Sequence, residues 1–252
     1  MATAYIVDAV RTAGGRRNGK LAGWHPVDLA AATLDTLVAR TGMDGAKIDD
    51  VIMGCVTQAG QQAMQVGRNA VLAAKNIPDS VPAVTIDRQC GSSQQAMQFA
   101  AQAVMSGTMD VVIASGVESM TRVPMGSNAM FHMKEGLGHY KSPRLDEKYP
   151  GIMFSQFMGA EMLVKKYGFT REDLDQFALE SHQKAIAATQ GGAFANEIVG
   201  IEVDTPEGKI VHNSDEGIRY DASFESLSGV KLLQEGGSIT AANASQICDG
   251  AS

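Results

Sequence analysis

Residues 81–106, V-P-A-V-T-I-D-R-Q-C-G-S-S-Q-Q-A-M-Q-F-A-A-Q-A-V-M-S, decide the fold. Ala83, Val84 and Ile86 form a short apolar run of strand type. Gly91 is expected to supply a backbone conformation closed to other residues, and Ser92 and Ser93 to cap a helix. Ala96, Met97, Ala100, Ala101 and Val104 then recur at helical spacing until Ser106-Gly107 ends the pattern. The stretch predicts strand, sharp turn and helix, with Cys90 at the turn. A thiol there meets free N–H groups and the positive end of the helix dipole, which favour the nucleophilic thiolate. The competing reading is a buried cysteine that only packs, since free Cys is among the most buried residue types.

Working outward, the flanking sequence alternates strand and helix. Tyr5–Val10 and Val51–Val56 are strand candidates, with Cys55 inside the second as core packing. Pro26 opens a helix whose apolar side is Leu29, Ala32, Leu34, Leu37 and Val38, closed by Thr41-Gly42. A further helix lies within residues 60–75 and a buried strand at Asp110–Ser115. This alternation predicts a layered α/β domain with a largely parallel sheet. Residues 11–23 form a Gly- and Arg-rich loop with Arg11, Arg16, Arg17 and Lys20. It does not match a phosphate-binding P-loop; solvent exposure or contact with a phosphate or partner subunit both fit it.

From Gly116 the pattern loses its period as far as Pro150-Gly151. Such stretches are commonly functional or interfacial, and four methionines between Met120 and Met133 give an adaptable apolar surface. Helices follow at Ser155–Tyr167 and, capped by Thr170, at Arg171–Thr189. Glu197–Val203 and Ser238–Ala242 are strand candidates, with a mixed stretch between them at Asp215–Lys231.

The totals bound the function. The 252 residues, 44% of them hydrophobic, suit one large domain or two modest ones. A net charge of -7 argues against a nucleic-acid footprint and against attraction to a membrane. Three cysteines, without zinc-ligand spacing, predict neither a metal site nor a disulfide framework, and point to a reducing, cytoplasmic compartment. The opening residues lack the pattern of a secretory signal, and no apolar run approaches the ~20 residues of a membrane span. The ending I-C-D-G-A-S reads as a truncation.

With Cys90 placed, R-Q-C-G-S-S-Q-Q-A-M resembles the nucleophile segment of thiolases. Three further stretches agree in order along the whole chain. The opening V-D-A-V-R-T resembles the family's start, and S-G-V-E-S-M (residues 115–120) its G-G-x-E-S-M turn. T-A-A-N-A-S-Q-I-C-D-G-A (residues 240–251) resembles its T-A-G-N-A-S-G-x-x-D-G-A segment.

The resemblance implies an acyl-CoA acyltransferase, working by thiolytic cleavage of a 3-ketoacyl-CoA or by Claisen condensation. Cys90 would carry the acyl group, with coenzyme A as substrate and no metal or redox cofactor. By the same resemblance Arg219, in D-E-G-I-R, would lie against the adenine; Ser226 and Ser245 would contact the pantetheine arm; Met158 would line the acyl pocket; and Ala241 would belong to the same substrate and CoA site. The implied fold is a thiolase-like layered α/β/α core domain over residues 1–118, then an inserted α+β loop domain over 119–249. Residues 250–252 would begin the return to the core domain. Phe157 stands where short-chain members carry histidine, and Ala242 and Gln246 replace glycines, so substrate choice is expected to differ.

The second thiolase core domain, with its G-H-P histidine, N-E-A-F segment and C-x-G cysteine, has no counterpart among these residues. The chain is therefore expected to need a C-terminal half for its bases, to be inactive alone, and to assemble as a homo-oligomer (dimer or tetramer). Two alternatives stay open. One is a non-catalytic CoA-binding or scaffold protein of the same fold. The other is a self-contained Cys–His enzyme using His132 or His139, which would need a histidine within hydrogen-bond reach of Cys90.

Overall fold

The structure is a computed structural model that describes residues 3–252. Along the chain run β1 (Arg11–Thr12), β2 (Gly15–Arg16), α1 (Pro26–Thr41), β3 (Asp50–Gly54), α2 (Val66–Ala73), β4 (Ala83–Ile86), α3 (Ser92–Ser106) and β5 (Val112–Ser119). There follow α4 (Ser127–Lys134), α5 (Pro143–Lys148), α6 (Gln156–Tyr167), α7 (Arg171–Gln190), β6 (Ile198–Val199), β7 (Ile201–Thr205), β8 (Gly208–His212), α8 (Phe224–Ser228) and β9 (Cys248–Ala251). Two compact units result: Met1–Phe131 with Ala195–Glu216 and Ile247–Ser252, and His132–Phe194 with Gly217–Gln246.

The first unit is built on a five-stranded sheet of order β2-β9-β5-β3-β4. β3 pairs in parallel with both β4 and β5, whereas β9 runs antiparallel to β5 and β2. The strands β4, β3 and β5 are parallel as expected for residues 1–115; β9, arriving from residue 248 without a helical crossover, adds the antiparallel pairs that make the whole sheet mixed. Strand alternation sorts the side chains onto two faces. Val51, Met53, Ile113 and Val117 pack with Leu29, Leu34 and Val38 of α1 and Val66, Ala70 and Val71 of α2. Ile52 packs with Ala96 and Ala100 of α3, helped by Ile86, Val112 and Ala114. The α1/α2 face therefore holds the main core. On the other side α3 leaves Met97 and Phe99 exposed, at 54% and 40%.

The helix signals act as their chemistry requires. Pro26 occupies the first turn of α1, with His25 Nδ1 accepting the Val27 N–H, and Gly42 ends the helix in the left-handed conformation (φ 64°). Thr170 and Asp173 form a reciprocal capping box on α7.

Other expectations are corrected. Tyr5–Val10 forms no strand; Tyr5, Ile6 and Val7 stay more than 70% exposed, and the first ladder begins at Arg11, which pairs with Ile198. An apolar run without a ladder partner has no reason to become a strand. Ser115–Ser119 is not a turn: it is the second half of β5, paired with β3 at Gly54↔Gly116 and with β9 at Val117↔Ala251. Ser238–Ala242 is a turn, in which Asn243 Oδ1 accepts the Thr240 N–H and Thr240 Oγ1 accepts the N–H groups of Ala242 and Asn243. The aperiodic stretch after Gly116 contains α4 and α5, and β8 completes a hairpin with β7. Residues 195–216, which the sequence groups with the inserted domain, pack in the first unit through β1–β6 pairing and the Arg11–Asp215 ion pair (2.7 Å).

Candidate active-site cysteine and CoA-binding residues

β4 delivers the chain into an elbow at residues 87–91, knitted by its own side chains. Asp87 Oδ1 accepts the Gln89 N–H at 2.6 Å. Buried Ser92 accepts the Arg88 N–H (2.9 Å) through its hydroxyl and donates to the Gln89 carbonyl (2.6 Å). The strained residue is Gln89, at φ 48°. Gly91, expected to take that role, sits at φ −94° and ψ 13°, a conformation open to most residues. Ser92 is likewise the first helical residue rather than a cap; its hydroxyl braces the turn from inside. Strain borne by Gln89 and a fully committed Ser92 turn the following residue outward: Cys90 is exposed, at the positive end of α3. The packing reading of Cys90 fails on this exposure.

A platform of two paired glycines lies beneath the helix mouth. A Cβ on Gly54 would sit 2.6 Å from the Ser92 carbonyl carbon and 2.8 Å from Ser93 Cα; one on Gly116 would sit 3.0 Å from Ser93 Cβ. Only hydrogen at these paired positions lets α3 start this close to the sheet. Glu118, near the end of β5, takes the N–H groups of Val56 (2.8 Å) and Thr57 (3.2 Å) and the Gln62 Nε2 (2.9 Å). Fully buried Gln62 accepts the Ser119 N–H in return (2.7 Å). Gln89 and Glu118 fall inside the quoted stretches R-Q-C-G-S-S and S-G-V-E-S-M, but their bracing roles depend on the folded partners; nothing local marks Gln62.

Cys55 and Cys248 are both shifted against ionisation. Burial, then the Glu118 charge, pushes the Cys55 thiol far up. Burial, then Asp249 and Glu118, pushes up Cys248. The described residues hold no group of three or more His, Cys, Asp or Glu side chains placed to bind a metal. No hydrogen bond links Cys90 to a histidine side chain among the described residues.

Met158, Arg219, Ser226, Ala241 and Ser245 all lie in the second unit, while Cys90 lies in the first. Arg219 is exposed and its N–H donates to His182 Nδ1 (3.3 Å); burial, then the Arg219 charge, holds the His182 pKa down. Ser226 Oγ accepts the Ser223 N–H (3.0 Å) and donates to the Ser223 carbonyl (2.8 Å), so it is engaged in capping α8. Ala241 and Ser245 are exposed on the turn after Ser238, and Met158 on α6 is 38% exposed. The acidic half of D-E-G-I-R works in the first unit. Asp215 accepts the Gly14 N–H and Arg11 Nη1 (both 2.7 Å), and Glu216 accepts the Lys20 N–H (2.9 Å), fixing the Gly- and Arg-rich loop.

The first unit is thus an α/β domain with an exposed cysteine at a strand-to-helix elbow. A family profile described as "Thiolase, N-terminal domain" matches residues 4–252, and the chain belongs to the thiolase family. It is 46% identical over its whole length to the steroid 3-ketoacyl-CoA thiolase FadA6 of Mycobacterium tuberculosis, covering 61% of that protein. It is 38% identical over its whole length to a 3-ketoacyl-CoA thiolase of Bacillus subtilis, covering 64%. The crystal structure of the Bacillus anthracis acetyl-CoA acetyltransferase superposes with a TM-score of 0.85 and 36% identity, over all of this chain and 64% of that one. The chain thus spans less than two thirds of the length of these relatives.

Proposed function

We propose that these residues form the nucleophile-bearing, CoA-binding part of an acyl-CoA acyltransferase. In the cleavage direction the Cys90 thiolate attacks the keto carbon of a 3-ketoacyl-CoA. The bond between that carbon and the α-carbon breaks, and the released carbanion takes a proton to leave as acetyl-CoA. Free CoA then attacks the Cys90 thioester, releasing the shortened acyl-CoA and restoring the thiol. The histidine and second cysteine that would move these protons have no counterpart in this sequence, so the full reaction calls on a C-terminal thiolase segment. Arg219, Ser226, Ala241, Ser245 and Met158 are read as the CoA and acyl contacts. A homo-oligomer is part of the same reading, supported by exposed Met64, Met97 and Phe99. So is a reducing, cytoplasmic setting, supported by three free cysteines; no helix among the described residues is long and apolar enough to cross a membrane.

The observation that carries the proposal is the exposed Cys90 on its braced elbow at the mouth of α3. The test is thiolysis of a 3-ketoacyl-CoA by the 252-residue chain, alone and mixed with the separately produced C-terminal segment of a relative. The expected result is turnover in the mixture and an acyl adduct at Cys90 by peptide mass, both abolished by Cys90→Ala. CoA binding without any adduct in either sample would overturn the catalytic reading in favour of a non-catalytic CoA-binding protein.

A further inference from the structure

The second unit has few fully apolar contacts in its interior; Val164, Leu179, Leu227 and Ile239 are its buried aliphatic residues. At its centre lies a charge instead. Asp175, on α7, is completely buried. A carboxylate in that position is tolerated only if both oxygens are well paired.

One oxygen, Oδ2, accepts Arg171 Nε at 2.6 Å. The same guanidinium reaches, through Nη2, the carbonyls of Leu227 (3.0 Å), Ser228 (3.2 Å) and Val230 (3.2 Å), which close the end of α8. α8 carries Ser226. The other oxygen, Oδ1, accepts Asn243 Nδ2 at 3.0 Å. Asn243 Oδ1 in turn accepts the Thr240 N–H at 2.8 Å, at the base of the turn that exposes Ala241 and Ser245.

We propose that Asp175 is a positioning residue that locks the two segments bearing the pantetheine contacts into one geometry. This rests on the acyl-CoA reading above. Asp175 touches no ligand itself; it acts through Arg171 on one segment and through Asn243 on the other. Directional, charge-assisted bonds fix orientation where a small apolar interior would leave the turn free to shift. Ser245 Oγ makes no hydrogen bond among the described residues, so its direction depends on the turn that Asn243 holds.

The test compares binding of CoA and of adenosine 3′,5′-bisphosphate, the nucleotide half, to the full chain by calorimetry. Asp175→Asn has one acceptor oxygen where two donors converge, so one segment is released. CoA affinity falls by about tenfold or more, the size of one lost charged hydrogen bond, while nucleotide affinity stays unchanged because Arg219 lies outside the clamp. The exchange Asp175→Asn with Asn243→Asp rebuilds the bonds to Arg171 and Thr240 and that between the two side chains, loses only the Asn243 Nδ2 bond to the Ser238 carbonyl (3.2 Å), and recovers part of the CoA affinity. If Asp175→Asn does not fold, Asn243→Ala, which cuts only the turn side, gives the same split between ligands. Unchanged CoA affinity, or equal loss of both ligands, overturns the inference. A wild-type chain that binds no CoA overturns the acyl-CoA reading itself, and the positioning role with it.

Discussion

The glycine platform under Cys90 makes a prediction sharp enough to refute. Gly54→Ala places a methyl group against backbone: Ser92 carbonyl carbon at 2.6 Å and Ser93 Cα at 2.8 Å. Backbone cannot rotate away, so the first turn of α3 must lift from the sheet. Overpacking of this kind costs about 1–3 kcal/mol, which for a chain of this size lowers the melting temperature by about 2–12 °C. Gly116→Ala meets mainly the Ser93 side chain, with Cβ at 3.0 Å. Its hydroxyl can move, so the cost falls below that of Gly54→Ala, and adding Ser93→Ala recovers part of the loss. The same addition does nothing for Gly54→Ala. Thermal denaturation followed by circular dichroism reads all four variants, and the rate of Cys90 alkylation reads the displaced elbow. A Gly54→Ala chain that melts and alkylates like wild type would show that α3 does not sit as close as described.

Iodoacetamide labels Cys90 first, since Cys90 is exposed at the elbow, Cys55 is buried, and the Cys55 and Cys248 thiols are pushed up by burial and nearby carboxylates; peptide mapping that finds Cys248 labelled ahead of Cys90 counts against the elbow. Buried His212 donates its Nε2–H to the Ala13 carbonyl (3.1 Å), and burial lowers its pKa below the usual value near 6.5. The unfolded chain then binds the extra proton first, so stability present above about pH 6.5 is lost as the pH falls below it, and His212→Gln flattens that slope in urea titrations. Cys55 has the opposite sense: its raised thiol makes stability fall as the pH rises above the ordinary thiol value of ~8.5, and Cys55→Ala removes that fall. Thr170→Ala breaks the capping box of α7 and costs about 1 kcal/mol by denaturant titration; no change would show that the box contributes nothing.

Local signals were legible where chemistry and structure act over a few residues. Pro26, Gly42 and Thr170 end or begin helices as their side chains require, and Cys90 could be placed because strand, turn and helix adjoin it in sequence. What escaped depends on distant partners. Tyr5–Val10 has strand composition but lacks a ladder, and the real ladder at Arg11 exists because residue 198 comes alongside. The positive φ fell on Gln89 rather than Gly91 because Asp87 and Ser92 pin the peptides around Gln89, a bargain of hydrogen bonds that composition does not reveal. Asp175 and Gln62 look like ordinary polar residues in sequence; only folding shows that each is buried and fully engaged.

β9 has a consequence for biosynthesis. Its four residues, 248–251, supply the antiparallel neighbour of both β5 and β2. While the ribosome is still extending the chain, β2 has no mate and one margin of β5 stays open, although both left the exit tunnel more than a hundred residues earlier. Closing so long a loop is slow, because the entropy of the intervening chain is lost before the new pairing repays it. Nascent chains stalled just short of residue 248 should therefore be far more open to protease near residues 15–16 than chains stalled after the strand has emerged.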